Sequence, residues 1–364
     1  MSFINYKIAP AILIALAMLL SSCRNQGPGE ELNNSTRTED SSTETLELVA
    51  EIEGVQVTGV TVTDEGRVFA TFPRWRKGVP YTLAEIVDGQ PRPYPSPDLN
   101  AWDIGQEPGD KLVNVQSAVA VGDTLYVADT RNPLIQVLIA PPLIHLYDLA
   151  TDKLLRTYEL TPGTTVPKTY VNDLRIDRGR QQVYFTDSGQ GGLMVLDLET
   201  GNSWRVLDGH PAVQATLDSL VIAGKPWKRK IPSDGIALDA INDRLLFHAL
   251  SGYTLYAIPL SVLSDPEARN LGDAVETIAT TPAPDGMWRT GGRTIMADLE
   301  KQAVVSVTDG GSVATLVAGP RVGWADTFSE YDGYLYFTNS KLPEADSTVA
   351  NMTFPIWRML LPTE

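Results

Sequence analysis

Paired short apolar strands recur along the chain from Leu46 onward. The apolar runs are broken by Gly, Asp, Asn and Pro, and no long stretch has the periodicity of an amphipathic helix. Six segments share one pattern, an apolar strand, a turn, a second apolar strand and usually a small polar residue: 59–72, 118–130, 173–188, 234–251, 285–299 and 326–340. This pattern predicts an all-β protein made of repeated hairpins.

The spacing of these segments indicates a β-propeller. They start 41 to 61 residues apart, which suits four-stranded blades with loop insertions. Most are followed by a further hairpin, as at 143–160, 192–207 and 303–317. The last is followed by one strand only (354–361), and the N-terminal run 46–52 can supply the missing one, which removes an exposed edge. We predict a six-bladed β-propeller over 46–364, closed by an N-terminal strand in the last blade; a large β-sandwich is the alternative.

The first residues resemble an export signal. Lys7 precedes the apolar run 8–20, which has the length of a signal-peptide core and is short for a membrane-spanning helix. Leu-Ser-Ser-Cys at 20–23 resembles a bacterial lipobox, so 1–23 is predicted to be a lipoprotein signal peptide with Cys23 lipidated; an ordinary signal peptide is the alternative. Arg24 follows the cysteine and favours the outer membrane, facing the periplasm, over the inner one.

Composition agrees with an exported protein. Residues 24–45 contain one aliphatic side chain, Leu32, and are predicted to be a disordered tether. The net charge of −16 argues against a nucleic-acid partner and would attract a cationic ligand. Cys23 is the only cysteine, so we expect no disulfide framework. We expect a monomer.

Aspartates precede the inner strand of four consecutive repeats. The inner strands of a propeller line its central channel, so residues before them face one another around one rim. Asp173, Asp234, Asp285 and Asp326 hold this position, with Asn172 beside the first. Converging carboxylates raise pKa values or bind a cation, although a single Asp before a strand is commonly a turn former. The sequence predicts an acidic ligand-binding rim, with Trp288 and Trp324 near enough in sequence to stack on a flat ligand.

A second polar set follows the second strand of several repeats and is predicted to cap turns: Asp129, Asp187, Asp298 and Asn339.

Signatures of common enzymes are absent from the sequence. The three histidines are scattered, and no metalloprotease, nucleotide-binding or nucleophile-elbow motif occurs.

Several stretches together resemble the major royal jelly protein and Yellow family. They include P-S-D-G-I-A-L-D (232–239), the segment 171–207 ending in S-W-R-V-L, D-G-M-W (285–288) and W-A-D-T-F (324–328). The resemblance covers roughly residues 90–360 and implies a six-bladed propeller. The family includes insect proteins that bind small molecules and also has bacterial members. If ligand binding carries over, it maps onto Asn172, Asp173, Asp234, Asp285 and Asp326.

A more distant similarity is to gluconolactonase and regucalcin-like propellers. It implies Ca²⁺ as a candidate ion, with Asn172 and Asp234 matching two ligands, but the first repeat has Val57 and Thr58 where that group has an acid.

Three hypotheses about function follow from the sequence. The favoured one is a lipid-anchored propeller that binds a small polar or cationic molecule at its rim. The others are a metal-assisted lactonase-type hydrolase or isomerase and a cell-envelope scaffold, and the sequence leaves catalysis open.

Overall fold

In the part of the chain that the structure describes, six four-stranded antiparallel sheets form a β-propeller, as predicted. The computed structural model describes residues 45–268, 271–345 and 348–362. Within these residues, no helix is long and apolar enough to cross a membrane.

The strands follow one another blade by blade. The chain starts with β1 (Glu47–Glu53). Blades one to three contain β2 (Gly59–Val62), β3 (Val68–Thr71), β4 (Leu83–Val87) and β5 (Gln90–Pro93); β6 (Val115–Val121), β7 (Thr124–Asp129), β8 (Leu143–Asp148) and β9 (Lys153–Glu159); β10 (Val171–Asp177), β11 (Gln182–Asp187), β12 (Leu193–Asp197) and β13 (Ser203–Val206). A separate hairpin, β14 (Leu220–Ile222) and β15 (Lys225–Trp227), precedes blade four. Blades four to six contain β16 (Ser233–Asp239), β17 (Arg244–Ala249), β18 (Thr254–Pro259) and β19 (Glu276–Thr280); β20 (Met287–Thr290), β21 (Arg293–Asp298), β22 (Ala303–Thr308) and β23 (Val313–Ala318); β24 (Ala325–Tyr331), β25 (Tyr334–Asn339) and β26 (Thr353–Leu360).

Helical structure within the described ranges is limited to single turns in the connections. They are α1 (Pro97–Asn100), α2 (Leu260–Leu263) and the 3₁₀ segments Pro133–Ile135, Pro211–Val213 and Leu271–Ala274. The repeat pattern does not anticipate the hairpin β14–β15.

The ring closes through the N-terminal strand, as the sequence predicts. Strand β1 pairs with β26 as the outermost strand of blade six, and the Arg358 guanidinium contacts the Glu47 carboxylate at 2.6 Å. The inner strands β2, β6, β10, β16, β20 and β24 each contact the next around the ring, including β24 with β2. The pairing of β1 with β26 completes blade six with a fourth strand.

Apolar faces of neighbouring blades pack against one another to form the core. Ile144 of blade two lies in one buried cluster with Leu174 and Phe185 of blade three, and all three are fully buried. Such sheet-on-sheet contacts orient the inner strands around a common axis.

The second polar set fixes how the chain enters the inner strands. Asp129 accepts hydrogen bonds from the backbone N–H groups of Val113 and Asn114 at 2.8 Å each, and Asn339 accepts one from the N–H of Trp324 at 3.0 Å. Asp187 likewise accepts a hydrogen bond from the N–H of Tyr170. All four residues also accept one from a backbone N–H two or three residues further along, at Arg131, Gly189, Lys301 and Lys341. The turn-capping prediction for these residues is confirmed, and in blades two, three and six the caps hold the segment that leads to the rim.

Candidate functional site

β-bulges turn the rim side chains toward the channel. The pairing of inner and second strand shifts register between Val171 and Leu174, Ser233 and Ile236, and Ala325 and Phe328. A bulge leaves its residues out of the ladder and re-aims their side chains. Asp234 and Asp326 therefore lie in bulges just inside the inner strands, whereas Asp285 precedes β20 as predicted.

Strand register corrects the alignment of the rim in blade three. Counting from the first paired residue after the bulge, the position of Asp234 and Asp326 is held in blade three by Asn172, not by Asp173. The six rim positions, one from each blade in order, are Thr58, Gln116, Asn172, Asp234, Asp285 and Asp326. All six residues are buried. We call Asp234, Asp285 and Asp326 the acidic arc and the other three the neutral arc.

The acidic arc holds protons near neutral pH. Burial raises the pKa of Asp285 to about 7, although hydrogen bonds from Trp324 and Asp234 oppose the shift. Burial, and then the negative charges of Asp285 and Asp326, raise the pKa of Asp234 well above its usual range. Burial and the charge of Asp285 do the same to Asp326. Asp234 and Asp285 hydrogen-bond to each other, which requires a proton on one of them.

Asp173 forms part of the channel below the rim. Its carboxylate accepts a hydrogen bond from the Ser117 hydroxyl at 2.8 Å and pairs with the Arg175 guanidinium at 2.9 Å. Arg175 also donates to the carbonyl oxygen of Met287 across the channel at 2.7 Å and lies 5.8 Å from the centroid of the Trp288 ring. The charge of Asp173 is thus balanced by a cation, while no Lys or Arg among the described residues forms an ion pair with the acidic arc.

The neutral arc is held by a buried tyrosine. The Tyr170 hydroxyl donates to the Gln116 side-chain oxygen at 2.7 Å and accepts from the Trp75 indole N–H at 2.5 Å. The Asn172 side chain lies beside them and forms no hydrogen bond within the described part of the chain. Its amide is available to a ligand.

Two spaces lie at the rim, and Asn172 and the acidic arc line both of them. An inner space of about 10 Å³ is lined by Asn172, Asp173 and the acidic arc, which leaves room for roughly one water-sized species. An outer cavity of about 80 Å³ lies over the same carboxyl groups and is walled by Trp75, Tyr170 and Trp227. The exposed Arg229 lines this outer cavity, with its guanidinium 5.8 Å from the centroid of the Trp227 ring.

The two tryptophans selected from the sequence do not form these walls. Trp324 is 2% exposed, and its indole N–H donates to Oδ2 of Asp285 at 2.5 Å. Trp288 lines neither space and donates to Glu330 at 2.9 Å. Trp75 and Trp227 hold the wall positions instead. The signal for Trp227 is its place five residues before the Pro-Ser-Asp-Gly stretch, while Trp75 carries no local signal.

The donor set does not fit a divalent metal. Among residues 45–268, 271–345 and 348–362, no group of three or more His, Cys, Asp or Glu side chains is placed to hold one ion. Asp234 is hydrogen-bonded to Asp285, and the first-blade rim position is Thr58, which brings no charge. Asn172 and Asp234, the two ligands suggested by the lactonase resemblance, do line one cavity.

The predicted signal peptide (1–23), the lipidation site Cys23 and all but the last residue of the tether (24–45) lie outside the described residues.

Sequence comparison identifies relatives of the segment that contributes most of the rim. Residues 115–285 match the family model described as major royal jelly protein. The segment is similar to Protein yellow of Drosophila subobscura, 34% identical over 162 residues that cover 38% of this chain and 27% of that protein. Protein yellow of Drosophila melanogaster is 31% identical over 162 residues, which cover 38% of this chain and 28% of that protein. The chain thus spans about a quarter of the length of these relatives.

Comparison with solved structures finds proteins of similar fold over 87% of this chain. A gluconolactonase from Xanthomonas campestris superposes with a TM-score of 0.54 at 12% identity, covering 87% of this chain and 89% of that one. A luciferin-regenerating enzyme gives 0.53 at 11% identity, covering 87% and 95%. Identities this low establish a shared fold. Together they show that the chain is a six-bladed β-propeller whose residues 115–285 are similar to the major royal jelly protein and Yellow family.

Proposed function

We propose that the protein binds a small organic cation, most simply a primary amine, at the rim of its channel. The observation that carries the proposal is the acidic arc, where Asp234, Asp285 and Asp326 line one cavity and form no ion pair with any residue that the structure describes. Buried carboxyl groups that lack a counter-cation hold protons. A bound ammonium group would replace those protons and supply the missing positive charge.

The chemistry of the lining suits an ammonium group with an apolar substituent. An ammonium group has three donors and no acceptor. The carboxylates and the Asn172 side-chain oxygen supply acceptors at the base of the cavity. Trp75, Tyr170 and Trp227 supply aromatic surface above it, and aromatic faces attract both cations and flat apolar groups. A cavity of about 80 Å³ limits the bound portion to a small group, so the remainder of a larger ligand would extend past Trp227 and Arg229.

Binding of an amine is tested by calorimetry with phenethylamine as the probe. Phenethylamine is expected to bind at pH 8, and its neutral isostere 2-phenylethanol at least about tenfold more weakly, because the isostere lacks the charge. Asp326→Asn should weaken phenethylamine binding, whereas Asp332→Asn, the same charge change in an exposed turn, should not. Equal binding of amine and alcohol, or equal effects of the two variants, would contradict a rim site for cations.

The lactonase-type alternative requires a divalent ion at the rim. The donor set described above does not favour one, and a fold shared at 12% identity carries no activity with it. Titration with Ca²⁺ distinguishes the alternatives, because a metal enzyme would gain thermal stability from Ca²⁺ and lose it with chelator. On the amine proposal, neither addition changes the melting temperature.

Export and lipid attachment complete the proposal. The basis is the run 8–20 followed by Leu-Ser-Ser-Cys. Attachment through Cys23 would tether the propeller to the cell envelope by a linker of about twenty residues. The wild-type chain should then fractionate with membranes and incorporate a palmitate analogue, whereas Cys23→Ser should do neither. Equal membrane association of the two chains would exclude the anchor.

A further inference from the structure

A second and larger cavity lies beside the rim, on the other side of Trp227. It has a volume of about 350 Å³, which falls within the usual range for small-molecule sites. The hairpin β14–β15 forms one wall, through Ile222, Lys225 and Pro226, and the segment after β25 forms the opposite wall, through Lys341 and Pro343. Trp227 and Trp324 complete it with aromatic surface.

The charges of this cavity are opposite to those of the rim. Two lysines line it, Lys225 and Lys341, and neither forms an ion pair with any described residue. One acid, Glu344, also lines it, so the lining carries a net positive charge in a chain whose net charge is −16. We propose that this cavity binds a small organic anion with a flat apolar ring, its anionic group on Lys225 and Lys341 and its ring against Trp227.

The walls are held in place before any ligand arrives. The N–H of Val221 in the hairpin donates to the Glu300 carboxylate at 2.7 Å, and the other oxygen of that carboxylate accepts from the Tyr253 hydroxyl at 2.6 Å. The rings of Trp227 and Trp324 lie 4.9 Å apart and inclined at 60°. A site whose walls are already fixed loses little entropy when a ligand binds.

Another cavity of similar size, away from the rim, provides a comparison for the Trp227 cavity. It measures about 330 Å³ and is lined by Trp102, Pro133 and Leu134 among other apolar residues, but its single charged residue is Glu107. Volume and apolar surface therefore do not distinguish the Trp227 cavity. The Trp227 cavity is distinguished by two lysines that form no ion pair with any described residue and lie next to an aromatic wall. An amphipathic anion requires such cations beside an apolar surface.

The test uses the full-length chain and indole-3-acetate, titrated by calorimetry. We expect one equivalent to bind, with the neutral indole-3-acetamide at least about tenfold weaker. Lys225→Gln with Lys341→Gln should raise the Kd for indole-3-acetate at least about tenfold. Lys153→Gln with Lys168→Gln removes two exposed lysines elsewhere and should change it less than twofold. Replacing Lys225 and Lys341 by Arg should preserve binding, which separates charge from any loss of folding.

Other results would overturn the proposal. They are the absence of binding at millimolar indole-3-acetate, equal binding of acid and amide, or equal Kd values in the two double Gln variants. Asp326→Asn tests independence from the rim: it should weaken phenethylamine and leave indole-3-acetate within about twofold. If the Lys225/Lys341 double Gln variant instead lost phenethylamine binding and kept that of indole-3-acetate, the assignment of the two cavities would be reversed.

Discussion

The indole N–H of Trp324 donates a hydrogen bond to Oδ2 of Asp285 at 2.5 Å, in the interior between the two cavities. This bond joins the acidic arc to the wall of the neighbouring site, since Trp324 lines the larger cavity and Asp285 the rim. It favours the ionised form of Asp285 and opposes the effect of burial on its pKa.

Trp324→Phe should raise the pKa of Asp285 further. The change removes the N–H donor and keeps an aromatic ring, and a lost hydrogen bond to a carboxylate corresponds to roughly one pKa unit. The measurement is a ¹³C NMR titration of labelled aspartate carboxyls. Trp288→Phe is the matched control, because the Trp288 N–H bonds to Glu330 instead. An unchanged Asp285 pKa in Trp324→Phe would show that this hydrogen bond has no influence on the rim.

Asp285→Asn should flatten the dependence of stability on pH. The folded-state pKa of about 7 is above the usual value of 3.8, so the folded protein binds more protons than the unfolded chain between these values. The wild-type protein should therefore lose stability as pH rises from about 4 to 7, by on the order of 4 kcal/mol from this group. Asparagine removes that loss.

Urea unfolding at pH 5, 6, 7 and 8 provides the measurement. The unfolding free energy of Asp285→Asn should exceed that of the wild type at pH 8 by more than it does at pH 5. Asp332→Asn, in an exposed turn, is expected to follow the wild-type curve. Parallel curves for wild type and Asp285→Asn would argue against a proton held at Asp285.

Local sequence patterns were enough to predict a rim of acidic residues. They did not predict which residue of blade three holds the rim position. Asp234-Gly235 and Asp285-Gly286 stand next to apolar strands, so their positions follow from sequence order. In blade three, Asn172 and Asp173 are adjacent, and a bulge between Val171 and Leu174 places Asn172, not Asp173, in the wall of the outer cavity. A bulge changes pairing by one residue and has no distinct signature in the apolar pattern, so the sequence alone suggested Asp173.

The aromatic walls of the outer cavity illustrate a different limit of prediction from sequence. Trp324 is next to the rim in sequence and was expected to stack on a ligand, yet it is buried and bonded to Asp285. Trp227 reaches the rim from the hairpin β14–β15, an insertion outside the blade repeat. Where an inserted hairpin folds depends on long-range contacts, here the bond from Val221 to Glu300. Trp227 and Trp324 are both close in sequence to a rim aspartate, yet only Trp227 lines the outer cavity, so sequence distance alone did not identify its walls.

Amine binding should tighten as pH rises. A cation at the acidic arc displaces protons, and Asp285 carries one below pH about 7. Affinity for phenethylamine should rise by roughly tenfold from pH 6 to 8, while the amine itself stays charged because such groups titrate near pH 10. Calorimetry in buffers of different ionisation enthalpy should detect proton release on binding at pH 6. Asp285→Asn should release fewer protons, and an affinity independent of pH would contradict proton displacement.

His248 should limit stability on the acid side. It is fully buried and lies between the Ala249 carbonyl oxygen, 2.6 Å from Nδ1, and the Thr281 hydroxyl, 2.9 Å from Nε2. Burial lowers its pKa to about 4. Because the unfolded chain binds this proton near pH 6.5, the stabilisation from neutral His248 is complete above pH 6.5 and is lost as pH falls to about 4, by on the order of 3 kcal/mol.

His248→Gln removes this proton site and should lose less stability between pH 6.5 and 4 than the wild type, even if it is less stable at pH 7. Urea unfolding across that range is the measurement, with His210→Gln as a control in a half-buried loop position. Between pH 4 and 6.5 the two groups act in opposite directions, because the proton on Asp285 favours the folded state at the acid end and neutral His248 favours it at the other. The slope of the double variant with Asp285→Asn should therefore lie between those of the two single variants. A wild-type slope retained in His248→Gln would mean that other groups cause the acid unfolding.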